Sequence, residues 1–263
     1  MNLFKFILII LFASCSLMAN ANIQCIKQAY PEHVRSVSTE VLTWQDGSSM
    51  PMQDGKTNKT TQERLDDPSL FEQLTSEVYT KGFSHEQMLD PIGDPGRIRY
   101  EPFFKKMYGE TQEQVESRLV IIYWMPHIFG YQYPLPVTTV NGVNYQMESL
   151  SSELEVWVQK HPEAITYLAN PGGTYIWRKI ANTNRLSMHS FGMTIDLTPE
   201  LTEYWQTDLT RAGRPISEDE PLVYHNQLPL EIVSIFEAHG FIWGGKWHHY
   251  DTQHFEYRPE LLC

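Results

Sequence analysis

Ser187-Met188-His189-Ser190-Phe191-Gly192-Met193-Thr194-Ile195-Asp196 is the stretch on which the reading of this chain turns, and Asp251-Thr252-Gln253-His254-Phe255-Glu256 is its counterpart further on. A strand over 193–197 puts Thr194 and Asp196 on one face and Met193, Ile195 and Leu197 on the other, so the apolar face turns inward and Asp196 faces away from it. Gly192, lacking a Cβ, permits a tight bend that folds His189 back toward Asp196. In the second stretch the same alternation places His254 and Glu256 together, opposite Phe255 and Tyr257. Glu256 can then hydrogen-bond the non-ligating nitrogen of a histidine. Asp251 joins that face only if the chain turns on entering the strand.

Catalytic zinc sites take three protein ligands from His and carboxylate and leave one position for water. His189, Asp196 and His254 fill that specification as ligands of a single Zn2+, and Asp251 remains as the base. A lone His or Asp in an aromatic, apolar stretch is more often a hydrogen-bonded structural residue than a ligand. Two spaced motifs in sequence favour the metal site. His248 and His249 are left out, because a fourth protein ligand would displace the water. Ser187 and Ser190 flank His189, but no G-x-S-x-G elbow supports a serine nucleophile. A free Asp titrates near ~3.9, so a base at position 251 needs a pKa raised by burial or hydrogen bonding.

The pattern S-x-H-x-x-G-x-x-x-D followed by D-x-x-H resembles the M15 zinc peptidases, the D-alanyl-D-alanine carboxypeptidases, dipeptidases and L-alanyl-D-glutamate endopeptidases of peptidoglycan. The likeness runs from about Tyr175 to Leu262 and includes Gly244-Gly245-Lys246-Trp247. It implies zinc held by His189, Asp196 and His254, Asp251 as general base, and a peptidoglycan stem peptide as substrate. It also implies a Hedgehog/DD-peptidase-like catalytic portion, and Hedgehog-type domains keep such a zinc site without peptidase activity. Thr194 stands where the family usually has Ala. A substrate ending in a free carboxylate calls for an arginine near the metal. Arg178 is the nearest in sequence, with Arg185 and Arg97 as others.

The 263 residues, 41% of them hydrophobic, suffice for one good core with a smaller N-terminal lobe. Lys5, the apolar run 6–12 and Ala19-Asn20-Ala21 read as a signal peptide over 1–21, implying a periplasmic or secreted protein; a lipoprotein signal at Cys15 is opposed by Phe12. Removing the leader leaves Cys25 and Cys263, an even pair suited to a disulfide in an oxidising compartment. A net charge of −12 argues against a nucleic-acid partner and against adsorption to anionic lipid. No later stretch approaches the ~20 apolar residues of a membrane helix, and oligomeric state is not legible.

The remaining patterns suggest an α+β fold, a mainly antiparallel sheet with flanking helices. The division is 22–134, helical or irregular, and 135–263, the catalytic region. Helical spacing is expected over 61–81 and 102–118, with 119–124 a buried strand or the apolar end of the second helix. Asn141-Gly142 between 137–140 and 143–146 reads as a β-hairpin. Ser151 reads as the cap of a helix to 159, Pro171-Gly172-Gly173 as a turn, and 230–238 as an amphipathic helix stopped by Gly240. The function expected is zinc-dependent hydrolysis of stem peptides, with a D-alanyl-D-alanine carboxypeptidase ahead of an L-alanyl-D-glutamate endopeptidase. The rival is a non-catalytic zinc-bearing binding module.

Overall fold

A computed structural model describes residues 23–82 and 93–263. The leader expected over 1–21 and the start of the 90–96 loop lie outside the described residues. Within them the chain is α+β, built of helices and three antiparallel sheets. The first sheet, β1 (Val34–Val37), β2 (Val41–Trp44) and β3 (Ser49–Pro51), lies in the segment expected to be helical or irregular. Its β2–β3 turn is Asp46-Gly47, with the Ser48 amide donating to Asp46 Oδ1 at 2.9 Å.

The 61–81 helix is instead two short helices, α1 (Thr61–Asp66) and α2 (Leu70–Thr75). Pro68 separates them, and each begins in a capping box, Thr60 with Glu63 and Ser69 with Glu72, so the local cap chemistry overrides the continuous apolar spacing. The 102–118 helix likewise divides at Gly109 into α3 (Glu101–Tyr108) and α4 (Gln112–Glu116). Residues 119–123 are strand β4 (Leu119–Tyr123), paired with β5 (Pro134–Thr138). It is not a buried strand: Ile122 faces the core while Val120, Ile121 and Tyr123 face solvent.

The expected hairpin at Asn141-Gly142 does not form. Both residues are left-handed, with φ of 56° and 66°, as that turn demands, but the chain continues into α5 (Val143–Val158). The reason lies in the apolar period beyond the turn: Val143, Met147, Leu150, Leu154 and Val158 recur at helical spacing and are all buried. Ser151 is therefore interior to the helix rather than its cap, and its Oγ accepts from the Met125 amide at 2.7 Å.

The third sheet has the order β6-β8-β7, with β6 (Thr194–Asp196), β7 (Phe241–Trp243) and β8 (His254–Tyr257) all antiparallel. Helix α6 (Trp205–Arg211) lies between β6 and β7 in the chain, followed by α7 (Leu230–Ala238), the helix expected before Gly240. The Phe236 ring of α7 stacks on Phe255 of β8 at 3.8 Å. One hydrophobic cluster, from Ile23 through Trp124 and Leu150 to Phe255, joins α3, α5, α7 and the sheet. No helix among the described residues is long and apolar enough to cross a membrane.

Cys25 and Cys263 are neighbouring free thiols, and burial together with the contact to Cys25 pushes the Cys263 thiol up to about 12. Exchange with an oxidised disulfide donor is expected to bridge them within one chain: in protein prepared without residues 1–21, and so without Cys15, thiol titration after denaturation should fall from two to none, with no dimer on a non-reducing gel.

Gly192 has φ +65°, and a Cβ there would meet Leu119 Cδ2 at 2.6 Å and the Thr138 amide nitrogen at 3.3 Å. Its carbonyl accepts from that same Thr138 amide, tying the turn to β5. Gly192→Ala is expected to lower stability by roughly 1–3 kcal/mol in chemical denaturation, from the left-handed backbone and the clash together.

Candidate metal centre

His189 sits on a single 3-10 turn, Met188–Phe191, that ends at the left-handed Gly192 and leads into β6. Met193, Ile195 and Leu197 are fully buried on the core side, leaving Asp196 on the opposite face. Asp196 and His254 are directly paired residues of β6 and β8. Asp196 Oδ1 lies 3.2 Å from His189 Nε2 and 3.0 Å from His254 Nδ1. The two imidazoles have their centroids 5.2 Å apart. One donor atom from each of the three residues can be chosen so that all lie within 4.8 Å of one another.

The surroundings of these donors fit a divalent cation. His254 Nε2 is 3.0 Å from Glu256 Oε2, so the ring nitrogen turned away from Asp196 is backed by a carboxylate. Glu256 is fully buried and bonded in turn by Arg99, Nη2 to Oε2 at 2.7 Å, and by Arg258, Nη1 to Oε1 at 2.8 Å. Burial opposes its charge, but Arg99, His254 and Arg258 hold the carboxyl well below the usual range. Asp196 is likewise raised by burial yet held low by His189 and His254. Burial lowers His254, while hydrogen bonds to Asp196 and Glu256 outweigh it and lift the imidazole to about 10. A histidine ligates only when neutral, so a bound cation must displace that proton.

Asp251 enters by a different route. An isolated bridge to Tyr204 and the turn at Thr252-Gln253 precede β8, and the Asp251 amide donates to the Gly244 carbonyl at 3.0 Å. The chain therefore does turn between Asp251 and His254, whose amide returns to the Asp251 carbonyl at 3.2 Å. Asp251 Oδ1 is buried without a hydrogen-bond partner. Burial, then the negative Asp196, push its carboxyl up to about 7. All four residues border one cleft of about 1000 Å³.

Residues 181–257 match the family model described as D-alanyl-D-alanine carboxypeptidase, one of the M15 peptidase models. That segment is similar to the M15 peptidases. No curated protein and no solved structure matches the chain. The matched segment contains His189, Asp196, Asp251 and His254 together with the Gly192 turn. Thr194, at the position where Ala is usual, is buried and donates from Oγ1 to the Thr174 carbonyl at 3.0 Å, so the extra hydroxyl is accommodated by a bond across to the preceding loop.

Arg178 borders the same cleft but is exposed, its guanidinium donating to the Lys179 carbonyl at 3.4 Å. Arg97 is committed to Asp94 and Glu218 by bonds of 2.8 to 3.0 Å. His249 belongs to this second cluster rather than to the first, with Nδ1 2.7 Å from Asp94 Oδ2. Asp94, Glu218 and His249 also offer converging donors, but the Arg97 guanidinium already bonds both carboxylates. Sequence reasoning missed this cluster and the Arg99–Glu256 pair. Each joins residues more than a hundred positions apart, and no local pattern signals them.

Asp251 gives the centre a pH signature. An acid raised on folding binds more protons folded than unfolded between the two pKa values, so its contribution is fully present below ~4 and is lost as pH rises through about 7. In chelator-treated protein, Asp251→Asn is therefore expected to gain stability over the parent by roughly 1–3 kcal/mol at pH 8, the gain shrinking toward pH 4.5 in paired denaturation curves. A pH-independent difference would remove the elevated carboxyl.

Proposed function

We propose that this chain is an exported zinc peptidase that hydrolyses peptidoglycan stem peptides, with removal of the terminal D-Ala as its leading activity. The observation that carries the reading is the convergence of His189, Asp196 and His254 in a cleft that also holds the Asp251 carboxyl, whose Oδ1 has no hydrogen-bond partner, all inside the segment that matches the carboxypeptidase family model. In this reading the catalytic region is 135–263, of Hedgehog/DD-peptidase type, and the leader over 1–21 directs the protein to the periplasm or beyond.

His189, Asp196 and His254 hold the metal. Bound there, a zinc ion supplies a Lewis acid that polarises the scissile carbonyl and acidifies water. Asp251 takes the proton from the attacking water and returns it to the leaving amine, a role that suits a carboxyl titrating near neutrality. Glu256 orients His254 and is itself kept ionised by Arg99 and Arg258. Arg178, at the rim, offers positive charge to the negatively charged transition state.

The test is mass spectrometry of a pentapeptide-bearing muropeptide incubated with zinc-loaded protein. Chelator-sensitive loss of one terminal alanine is expected, and cleavage at the first stem bond would instead assign the L-alanyl-D-glutamate endopeptidase. Asp251→Ala should retain stoichiometric zinc with at least a 100-fold loss of rate, whereas His254→Ala should lose both metal and activity. Stoichiometric zinc with every muropeptide intact would favour the binding module.

A further inference from the structure

Tyr204 faces Asp251 across the isolated bridge that precedes β8, and the bonds on either side of the bridge fix how the two side chains leave the backbone. The Trp205 amide donates to the Tyr250 carbonyl at 3.0 Å, and the Thr252 amide to the Glu203 carbonyl at 2.9 Å. Tyr204 and Asp251 are therefore a non-hydrogen-bonded antiparallel pair, the closer of the two kinds, with both side chains on one face. The flanking Trp205, Tyr250 and Thr252 are buried on the other face. Alternation leaves the pair's own face to the cleft, which both residues border together with His189, Asp196 and His254.

Packing accounts for the ring of Tyr204 but not for its hydroxyl. The ring is half-buried and meets Trp205 edge-on, with centroids 6.3 Å apart. A buried phenol usually finds a partner, as the neighbouring Tyr250 does in Asp208 and the Val223 carbonyl. The Tyr204 hydroxyl has no hydrogen-bond partner among the described residues. Burial, then the negative Asp251, push its pKa above the ordinary value, with Arg97 and Arg178 opposing and Glu218 adding to the rise. All four of these charged residues border the cleft. The phenol is thus neutral and keeps a proton to donate, and it reaches further from the backbone than the carboxyl on the same face can.

We propose that Tyr204 is a further catalytic residue, whose phenol donates a hydrogen bond to the carbonyl oxygen of the scissile amide as that oxygen becomes charged. The assignment rests on the peptidase reading above. Asp251 exchanges protons with the water and the leaving amine, so the amide must lie over Asp251, in the space that the Tyr204 hydroxyl enters. The hydroxyl does not bond Asp251, whose Oδ1 is likewise without a partner, so both groups are free to act on one substrate. Tyr204 keeps its proton throughout, and no covalent bond to it forms or breaks. A neutral donor matters most where negative charge develops and little against an uncharged carbonyl, so the contact belongs to the transition state. Arg97 is already committed to Asp94 and Glu218 and does not compete for this part.

Tyr204→Phe removes only a hydroxyl that bonds no described residue, so the variant should unfold at the parent's denaturant midpoint and bind zinc stoichiometrically. On the pentapeptide muropeptide its kcat and kcat/KM should both fall roughly 100-fold with KM within about twofold, and the limb of the pH–rate profile that belongs to Asp251 should not move. A phosphinate isostere of the terminal D-Ala–D-Ala unit carries the transition state's charge without being cleaved. In calorimetry it should bind the zinc-loaded variant more weakly than the parent by a similar factor. Unchanged rates in the variant of a parent that cleaves would overturn the assignment and leave the peptidase reading in place. A loss that comes with lost zinc or a displaced pH limb would overturn it as well, since that marks a structural role. If the parent cleaves nothing yet holds the phosphinate through Tyr204, the donor stands and the peptidase reading falls. If it neither cleaves nor holds the phosphinate, both fall.

Discussion

The pairing of β6 with β8 sets Asp196 beside His254, and much of the site's geometry follows from that one register. Side chains alternate along a strand, so slipping either strand by one residue would turn Asp196 or His254 into the core and bring Ile195 or Phe255 out. The apolar face resists this. Ile195 and Phe255 are fully buried, and the Phe255 ring stacks on Phe236 of α7 and lies beside its cross-strand neighbour Trp243 of β7. The polar geometry on one side of the sheet is thus held by packing on the other. The Gly192 turn then needs only to return His189 to a strand already in position.

Charge alternates outward from that pair. Asp196 is bonded to His254, His254 to Glu256, Glu256 to Arg99 and Arg258, Arg258 to Glu260, and Glu260 to the Tyr30 hydroxyl. Glu256 and Arg258 are both wholly buried, and removing either would strand the other's charge away from water. The chain of bonds ends on Tyr30 in the N-terminal part of the protein, so that part is coupled to the centre by electrostatics as well as by the shared core. Asp251 stands outside this alternation. With no partner on Oδ1 and the negative Asp196 nearby, its carboxyl is the one that titrates near neutral pH. One site thus holds a pair of acids with separated pKa values, the arrangement acid–base chemistry needs.

Local patterns were legible where local physics decided them. The alternation over 193–197 and 254–257, the bend at Gly192 and the helix Leu230–Ala238 follow from periodicity and backbone freedom within a few residues. At Asn141-Gly142 the left-handed turn forms as its residues dictate, but it leads into a helix instead of a second strand. Left-handed residues can join two strands or start a helix, and the buried positions from Val143 to Val158 chose the helix. Pro68 and Gly109 mark the breaks in the sequence, and they prevail over the regular apolar spacing that predicts continuous helices.

By itself, then, the sequence determined which residues could meet at the centre, because His189 and Asp196 lie within one short turn-and-strand and His254 and Glu256 within one strand. Only the tertiary structure decided what surrounds them. The commitment of Arg97 to Asp94 and Glu218, the placing of Arg99 on Glu256 and the exposure of Arg178 depend on loops distant in sequence. The physical reason is that spacing along one strand or turn fixes geometry over a few ångströms. Burial and long-range ion pairs arise only when separate segments exclude water from the same space.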